Sequence, residues 1–347
     1  MVAISRTNLT APEVAELARS LEKSKTCTAL TLTGSTVGHH CAPLLGDMMR
    51  NNSLKSLHLS RCSLGEEGSV TICEAIEAKL AISVLDFSYN QVGLEGAAAL
   101  SRALAASELT VLRLRGNPIG DRGCAVLSEG LVANNTLRSL ELRSTDIGGV
   151  GCGALASSAG SHASLTQLDI GENDVGDDGA GALGAALEAN MVLTSLDLRR
   201  NGIGAAGGAS LGAALEANNA LLTLKLDGNQ LGSAGCSSVC HALRRNHSLT
   251  TLGLAKNGIG PECCAEMGAA LATNRNLGTL VLSENRLGAE GCLALLRGLR
   301  DNSTLSVLEL GNNGIDACLL TEVASLMKLR TTEMKIRARK GTAAARG

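Results

Sequence analysis

The chain has 347 residues, a formal net charge of −2 and 45% hydrophobic residues, yet aromatics are 1%: one Phe, one Tyr and no Trp. That balance excludes both the basic composition of a general nucleic-acid binder and the acidic, apolar-poor composition of a disordered chain. Any core must be built from Leu, Val, Ile and Ala, and no apolar run approaches the roughly 20 residues that a membrane-spanning helix needs.

At the N-terminus, Arg6 and Arg19 are interspersed with Glu13, Glu16 and Glu22 and there is no apolar signal-peptide core, so neither secretion nor mitochondrial import is indicated. Thr10 followed three residues later by Glu13 reads as a capping box, opening a helix through about Lys23 with no strand expected before it. Residues 1–26 are read as an N-terminal capping helix.

From Cys27 the chain writes one sentence, LxxLxLxxNxIGxxG, eleven times at spacings of 27 or 28 residues. Its ninth position is held by Ser35, Cys62, Asn90, Asn117, Thr145, Asn173, Asn201, Asn229, Asn257, Asn285 and Asn313. A fixed period of this length is the mark of a solenoid, which can extend as one domain at any length. Residues 27–327 are read as that repeat domain, an α/β horseshoe with eleven parallel strands on the concave face and helices on the convex face.

One repeat shows the logic. Leu193, Leu196 and Leu198 alternate with Thr194, Ser195, Asp197 and Arg199, as a half-buried strand requires. Asn201 follows at the inward turn, where a buried amide can satisfy backbone groups of its own and the adjacent coil. Gly204 and Gly207 suit a tight turn, Leu211 and Leu215 place the inner face of a helix, and Asn218 and Asn219 end it. Small residues such as Ala205, Ala206, Ala209, Ala213 and Ala214 allow neighbouring helices to stack closely.

At the far end Val323, Met327, Leu329 and Met334 extend a last helix, and residues 328–347 form a cap extension and basic tail. Lys328, Arg330, Lys335, Arg337, Arg339, Lys340 and Arg346 face only Glu333 there, and residues beyond about Ala338 are expected to be disordered. The tail suits either a solubilising terminus or an acidic partner: RNA, an acidic membrane surface or an acidic protein segment. Without aromatics to stack on bases, specific single-stranded nucleic-acid binding is disfavoured.

Most of the twelve cysteines occupy framework positions, with Cys124, Cys152, Cys236, Cys264 and Cys292 in one register, and are read as reduced, buried, small hydrophobes. Cys263–Cys264 and Cys240–His241 lack the paired CxxC spacing of a zinc site, so no metal and no cofactor is expected. Sequons at Asn52, Asn134, Asn246 and Asn302 recur near repeat-helix ends, where Asn suits the turn, and carry no glycan inference. His39 and His40 beside Cys41 read as a loop rather than a catalytic pair. No nucleophile, base and orienting acid, metal cluster or phosphate loop is found, and the expectation is a soluble, cytoplasmic, non-enzymatic protein.

The 28-residue unit, with IGxxG after the Asn and a full helix, closely resembles the ribonuclease-inhibitor subfamily of leucine-rich repeats over about Cys27 to Met327. That subfamily includes the ribonuclease inhibitor, the sensing domains of NOD-like receptors, the Ran GTPase-activating protein and repeat proteins of cilia and the cytoskeleton. The resemblance implies protein binding, mostly by the concave strand face. The chain departs from the NOD-like receptors in lacking a GxxxxGK[ST] loop and from the Ran activator in having a basic rather than an acidic C-terminal segment. Its inner wall offers Tyr89 alone, so aromatic-anchored inhibition of the ribonuclease-inhibitor kind is disfavoured.

Specificity would be encoded at the outward strand positions, which differ between repeats. Arg113, Arg115, Arg138, Glu141, Arg143, Asp169, Glu172, Asp197, Arg199, Arg200, Lys225 and Asp227 form a charged band on repeats four to eight. The later repeats offer smaller residues there: Gly253, Ala255, Val281 and Ser283. Solvated polar positions with opposite charges satisfying one another, Asp197 and Lys225 for example, are the plain reading of the band. A protein partner docked across it is the sharper one, since Arg is enriched at interfaces. Function then reads as a protein–protein interaction scaffold or adaptor, placed by family analogy in a large cytoskeletal or ciliary assembly; a GTPase activator or other enzyme regulator is the alternative.

Overall fold

The computed structural model describes residues 2–24, 26–51, 53–78 and 82–329, the side chains of residues 2–4 excepted. The C-terminal basic tail from residue 330 on, Met334 within it, and Asn52 of the first sequon lie outside the described residues. Packing divides the chain into two compact units, Met1–Asn201 and Gly202–Gly347.

The first unit runs β1 (Val2–Ser5), α1 (Ala11–Leu21), β2 (Cys27–Thr31), α2 (Gly38–Asn51), β3 (Ser56–His58), α3 (Gly65–Glu77), β4 (Val84–Asp86), α4 (Leu94–Ala106), β5 (Val111–Arg113), α5 (Gly120–Ala133), β6 (Ser139–Glu141), α6 (Gly149–Ser161), β7 (Gln167–Asp169), α7 (Gly176–Ala189) and β8 (Ser195–Asp197). The second runs α8 (Ala205–Ala217), β9 (Thr223–Lys225), α9 (Gly232–Leu243), β10 (Thr251–Gly253), a 3-10 turn at Pro261–Cys263, α10 (Cys264–Thr273), β11 (Thr279–Val281), α11 (Gly288–Asp301), β12 (Val307–Glu309) and α12, residues 317–329. Within each unit, strands adjacent in sequence pair in parallel, and the whole is a leucine-rich repeat α/β solenoid.

Register follows from the leucines. Leu57, Leu85, Leu112, Leu140, Leu168 and Leu196 pair side by side in the first unit, as do Leu224, Leu252 and Leu280 in the second, and all are buried. A slip of one residue would turn this row to solvent, so the side-chain period of two locks the strands in place.

The sequence reading is corrected at the N-terminus. A strand, β1, precedes the capping helix and pairs in parallel with β2, so the described residues hold twelve strands rather than eleven. The Thr10 N–H and hydroxyl both donate to Glu13 Oε2, at 2.7 Å each, in the capping box that opens α1. Later helices borrow acceptors from the preceding coil: Asp121 Oδ1 receives the N–H groups of Gly148 (2.7 Å) and Gly151 (2.9 Å) at the start of α6. Because the first N–H groups of a helix have no partner within it, one carboxylate both ends a strand of unsatisfied donors and ties two repeats together.

The ninth-position Asn residues form a buried ladder. Asn117 Nδ2 donates to Leu114 O (2.7 Å) in its own coil and to Phe87 O (2.9 Å) in the preceding one. Its Oδ1 accepts from the N–H groups of Asn90 (2.9 Å) and Val92 (3.0 Å). Asn90, Asn173, Asn257, Asn285 and Asn313 donate in the same way to carbonyls of their own and the preceding coil, and Asn201 and Asn229 donate to carbonyls within their units. The substitutes do part of this work: Thr145 Oγ1 donates to Leu142 O (2.6 Å), Cys62 Sγ to Leu32 O (2.8 Å), and Ser35 Oγ accepts from Leu9 N (3.0 Å).

A second ladder runs past the helix ends. Asn246 Nδ2 donates to Leu215 O (2.8 Å) and Asn218 O (2.9 Å) while its Oδ1 accepts from Leu249 N (2.8 Å). Asn134, Asn190, Asn274 and Asn302 repeat the pattern. His162 stands in the same register, 28 residues from Asn134 and from Asn190. Its Nδ1 accepts from Leu165 N (3.0 Å), but its Nε2 is buried without a partner. Burial holds the imidazole pKa below its usual value.

Two outcomes are expected. Asn117→Ala strands four backbone groups, at about 1–3 kcal/mol for each buried unpaired group, and should lower stability by about 3 kcal/mol or more in urea unfolding; Asn117→Thr, keeping the donor that Thr145 shows, should lose less. Because folded His162 resists protonation that the unfolded chain accepts near pH 6.5, the protein should lose stability as pH falls below about 6.5. His162→Asn should remove that dependence, read from melting curves on either side of the same pH.

Candidate partner-binding face

Three residues past each strand's last residue the chain adopts left-handed backbone geometry, which turns it inward and sets that residue's side chain at the rim of the strand face. In the first unit this position is filled by Arg61, Tyr89, Gly116, Ser144, Glu172 and Arg200, with φ between 53° and 69°. The strands therefore present several rows of side chains, one residue per coil, at about 4.8 Å spacing.

The row formed by the last strand residue reads His58, Asp86, Arg113, Glu141, Asp169, Asp197. Two residues on come Arg115, Arg143, Gly171 and Arg199, followed by the rim. Arg113 Nε donates to Glu141 Oε1 at 2.8 Å. Asp169 lies beside Asp197, and burial, with that neighbouring charge adding to it, pushes the Asp169 carboxyl pKa up. Asp197 is clamped by Arg199, whose Nε and Nη2 reach its two oxygens at 2.6–2.9 Å.

Glu172 is the hub. Its Oε1 accepts from Arg143 Nη2 (2.7 Å) and Arg200 Nη1 (3.5 Å), and its Oε2 accepts from the Ser144 hydroxyl (2.8 Å) and lies 3.8 Å from Arg115 Nη2. Cations from three coils thus converge on one carboxylate. The Arg143 and Ser144 hydrogen bonds hold its pKa down to about 2, and the Arg143 guanidinium is stabilised in return. The Nε groups of Arg115 and Arg143 are buried with no hydrogen-bond partner.

Of the sequence-selected residues, Arg113, Arg115, Glu141, Arg143, Asp169, Glu172, Asp197, Arg199 and Arg200 are brought together on the strand face of the first unit. Arg138 is exposed, one residue before β6, so it enters the band at its edge. Lys225 and Asp227 lie on and just after β9 in the second unit, where Asp227 Oδ1 accepts from Ala255 N at 2.9 Å. Gly253 is small for a reason, since a Cβ there would run into the Asp227 carboxylate.

Sequence reasoning overlooked Arg61. Its guanidinium sits 4.8 Å from the Tyr89 ring centroid, with Arg115 at 5.6 Å. The left-handed rim position, 28 residues before Tyr89, was the signal that placed it. Among the described residues no group of three or more His, Cys, Asp and Glu side chains is placed to hold a metal ion. Eleven cysteines are buried and Cys318 is exposed. Burial pushes the thiol pKa of Cys62 up to about 11 and those of Cys124 and Cys152 up to about 12, so these thiols stay protonated and unreactive. No described helix is long and apolar enough to cross a membrane.

Glu172→Gln should destabilise the first unit by about 1 kcal/mol at neutral pH, as a networked, partly exposed ion pair does. A carboxylate with a depressed folded pKa contributes above its unfolded value and loses that contribution as pH falls. The difference between native and variant melting temperatures should therefore shrink from pH 4.5 down to about 2.

A leucine-rich repeat family model matches nine segments of the chain, residues 50–73, 82–101, 107–128, 133–156, 161–184, 189–212, 217–240, 245–264 and 273–296. The chain is similar to ribonuclease inhibitor of Sus scrofa, 30% identical over 136 residues that cover 38% of this chain and 30% of the inhibitor. It thus aligns with less than a third of that relative's length. A solved structure of leiomodin-1 actin-binding site 2 aligns at 18% identity and a TM-score of 0.44, over 48% of this chain and 96% of that one. The nine matched segments span more than half of the chain and coincide with the coils that carry the Asn ladder, so the chain belongs to the leucine-rich repeat family.

Proposed function

We propose that this protein is a non-enzymatic, cytoplasmic scaffold whose protein partner docks on the strand face of the first unit. The observation that carries the reading is the convergence of Arg115, Arg143 and Arg200 on Glu172, beside the Arg113–Glu141 pair and the Arg199–Asp197 clamp. Guanidiniums held this way lose little side-chain entropy on binding. Leucine-rich repeat proteins act as protein-interaction scaffolds, which is the general role this reading specifies.

The alternating charges set partner orientation and association rate more than affinity, which suits placement in an assembly. A large cytoskeletal or ciliary assembly is the setting we propose, by analogy with the roles that ribonuclease-inhibitor-like repeat proteins take.

Crosslinking mass spectrometry on the protein recovered from its native source tests the reading. Stoichiometric crosslinks between the first unit and one stable partner are expected, and they should disappear in a variant carrying Arg113→Glu, Arg143→Glu and Arg199→Glu whose melting curve shows it folded. Unchanged recovery of the partner sinks the docking face. Capture of a GTPase in one nucleotide state only would replace the scaffold with a regulator.

A further inference from the structure

The one tyrosine of the chain occupies an unusual place. Tyr89 has φ of +58°, a left-handed conformation that bulky side chains rarely adopt, and the next coil fills the same rim position with Gly116. The ring lies across Gly116, in the space that a Cβ there would need, so the absence of a side chain in one coil makes the seat for the aromatic of the coil before. The guanidinium carbons of Arg61 and Arg115 lie 4.8 and 5.6 Å from the ring centroid.

Tyr89 is nevertheless 37% exposed, whereas Phe87, two residues earlier, is completely buried in the core. Tyr89 therefore does not fill the core. Among the described residues Arg61 has no carboxylate partner, and the nearest contact of Arg115 to Glu172 is a long 3.8 Å. A rigid aromatic surface with two incompletely neutralised guanidiniums beside it is the composition of an interface anchor.

We propose that Tyr89, Arg61 and Arg115 form the anchor for an acidic peptide segment of a protein partner, with an apolar group on the ring and a side-chain carboxylate shared by the two guanidiniums. This specifies the docking face proposed above and rests on that reading. Charge complementarity selects the occupant. Two guanidiniums beside one ring suit a local carboxylate, whereas a nucleic acid, which carries a phosphate at every nucleotide, would meet Asp86, Glu141, Asp169 and Asp197 along the same face. One ring also offers a single stacking platform where single-strand binders use several.

The test begins with selection of random linear peptides displayed on phage against the full chain. Peptides enriched in Asp or Glu beside an apolar residue are expected; a selection without that enrichment, or with no binders, overturns the proposal. By fluorescence anisotropy, Tyr89→Ala and Arg61→Glu should each weaken a selected peptide about tenfold or more, as loss of an interface anchor does, while Tyr89→Phe retains binding. Binding insensitive to Tyr89→Ala, or displacement of the peptide by poly(U) that itself requires Tyr89, also overturns it. Recovery of the native partner separates the two readings. If Tyr89→Ala leaves recovery intact while the Arg113, Arg143 and Arg199 reversal abolishes it, the anchor fails and the scaffold stands; if neither variant matters, both fail.

Discussion

The rest of the structure depends on the buried side-chain amide that joins one coil to the next. A strand of three residues, a tight inward turn and a short helix leave backbone N–H and C=O groups inside each repeat that neither element can satisfy. Asn can satisfy them because one planar group carries two donors and an acceptor, so that Asn117 serves Leu114 in its own coil and Phe87, Asn90 and Val92 in the one before. Repeats coupled in this way stabilise one another, which is how a chain with almost no aromatic core residues holds a regular fold.

That coupling also explains the strand face. With the backbone locked in register, the last residue of each strand and the rim residue after it project at set intervals. Charges from separate repeats then meet without any local sequence relation: Arg115 and Glu172 are 57 positions apart in the chain, yet their side chains lie 3.8 Å from one another. Left-handed geometry at the rim belongs to the turn, and each coil can place a different side chain on it, from Gly116 to Tyr89 to Glu172. Framework and specificity are thereby separated: the interior repeats, and the rim varies.

The helix-end ladder shows the same economy on the other side of each repeat. Asn residues there look like ordinary turn formers in sequence, and several sit in sequons, but Asn134, Asn246 and Asn302 are buried and bonded to the preceding coil. Their period of 28 was legible; their burial was not, because local sequence cannot distinguish an amide that caps a turn from one that spans two repeats. His162 is the exception in that row, an imidazole with one nitrogen satisfied and the other orphaned.

By itself the sequence determined the repeat class, the parallel strands, the leucine register and the outward positions, since all of these follow from a fixed period and the alternation of side chains along a strand. It did not reveal β1, because Val2–Ser5 stands outside the repeat and is a strand only through its pairing with Cys27–Thr31. Nor could it decide which charges meet. Glu172 collects Arg115, Arg143 and Arg200 while Arg199 turns back onto Asp197, choices made by side-chain reach and by hydrogen bonds across neighbouring coils. The Arg61–Tyr89–Arg115 arrangement likewise exists only once three consecutive repeats are stacked, because Arg61, the ring, and the Arg115–Gly116 pair beside it belong to three different coils.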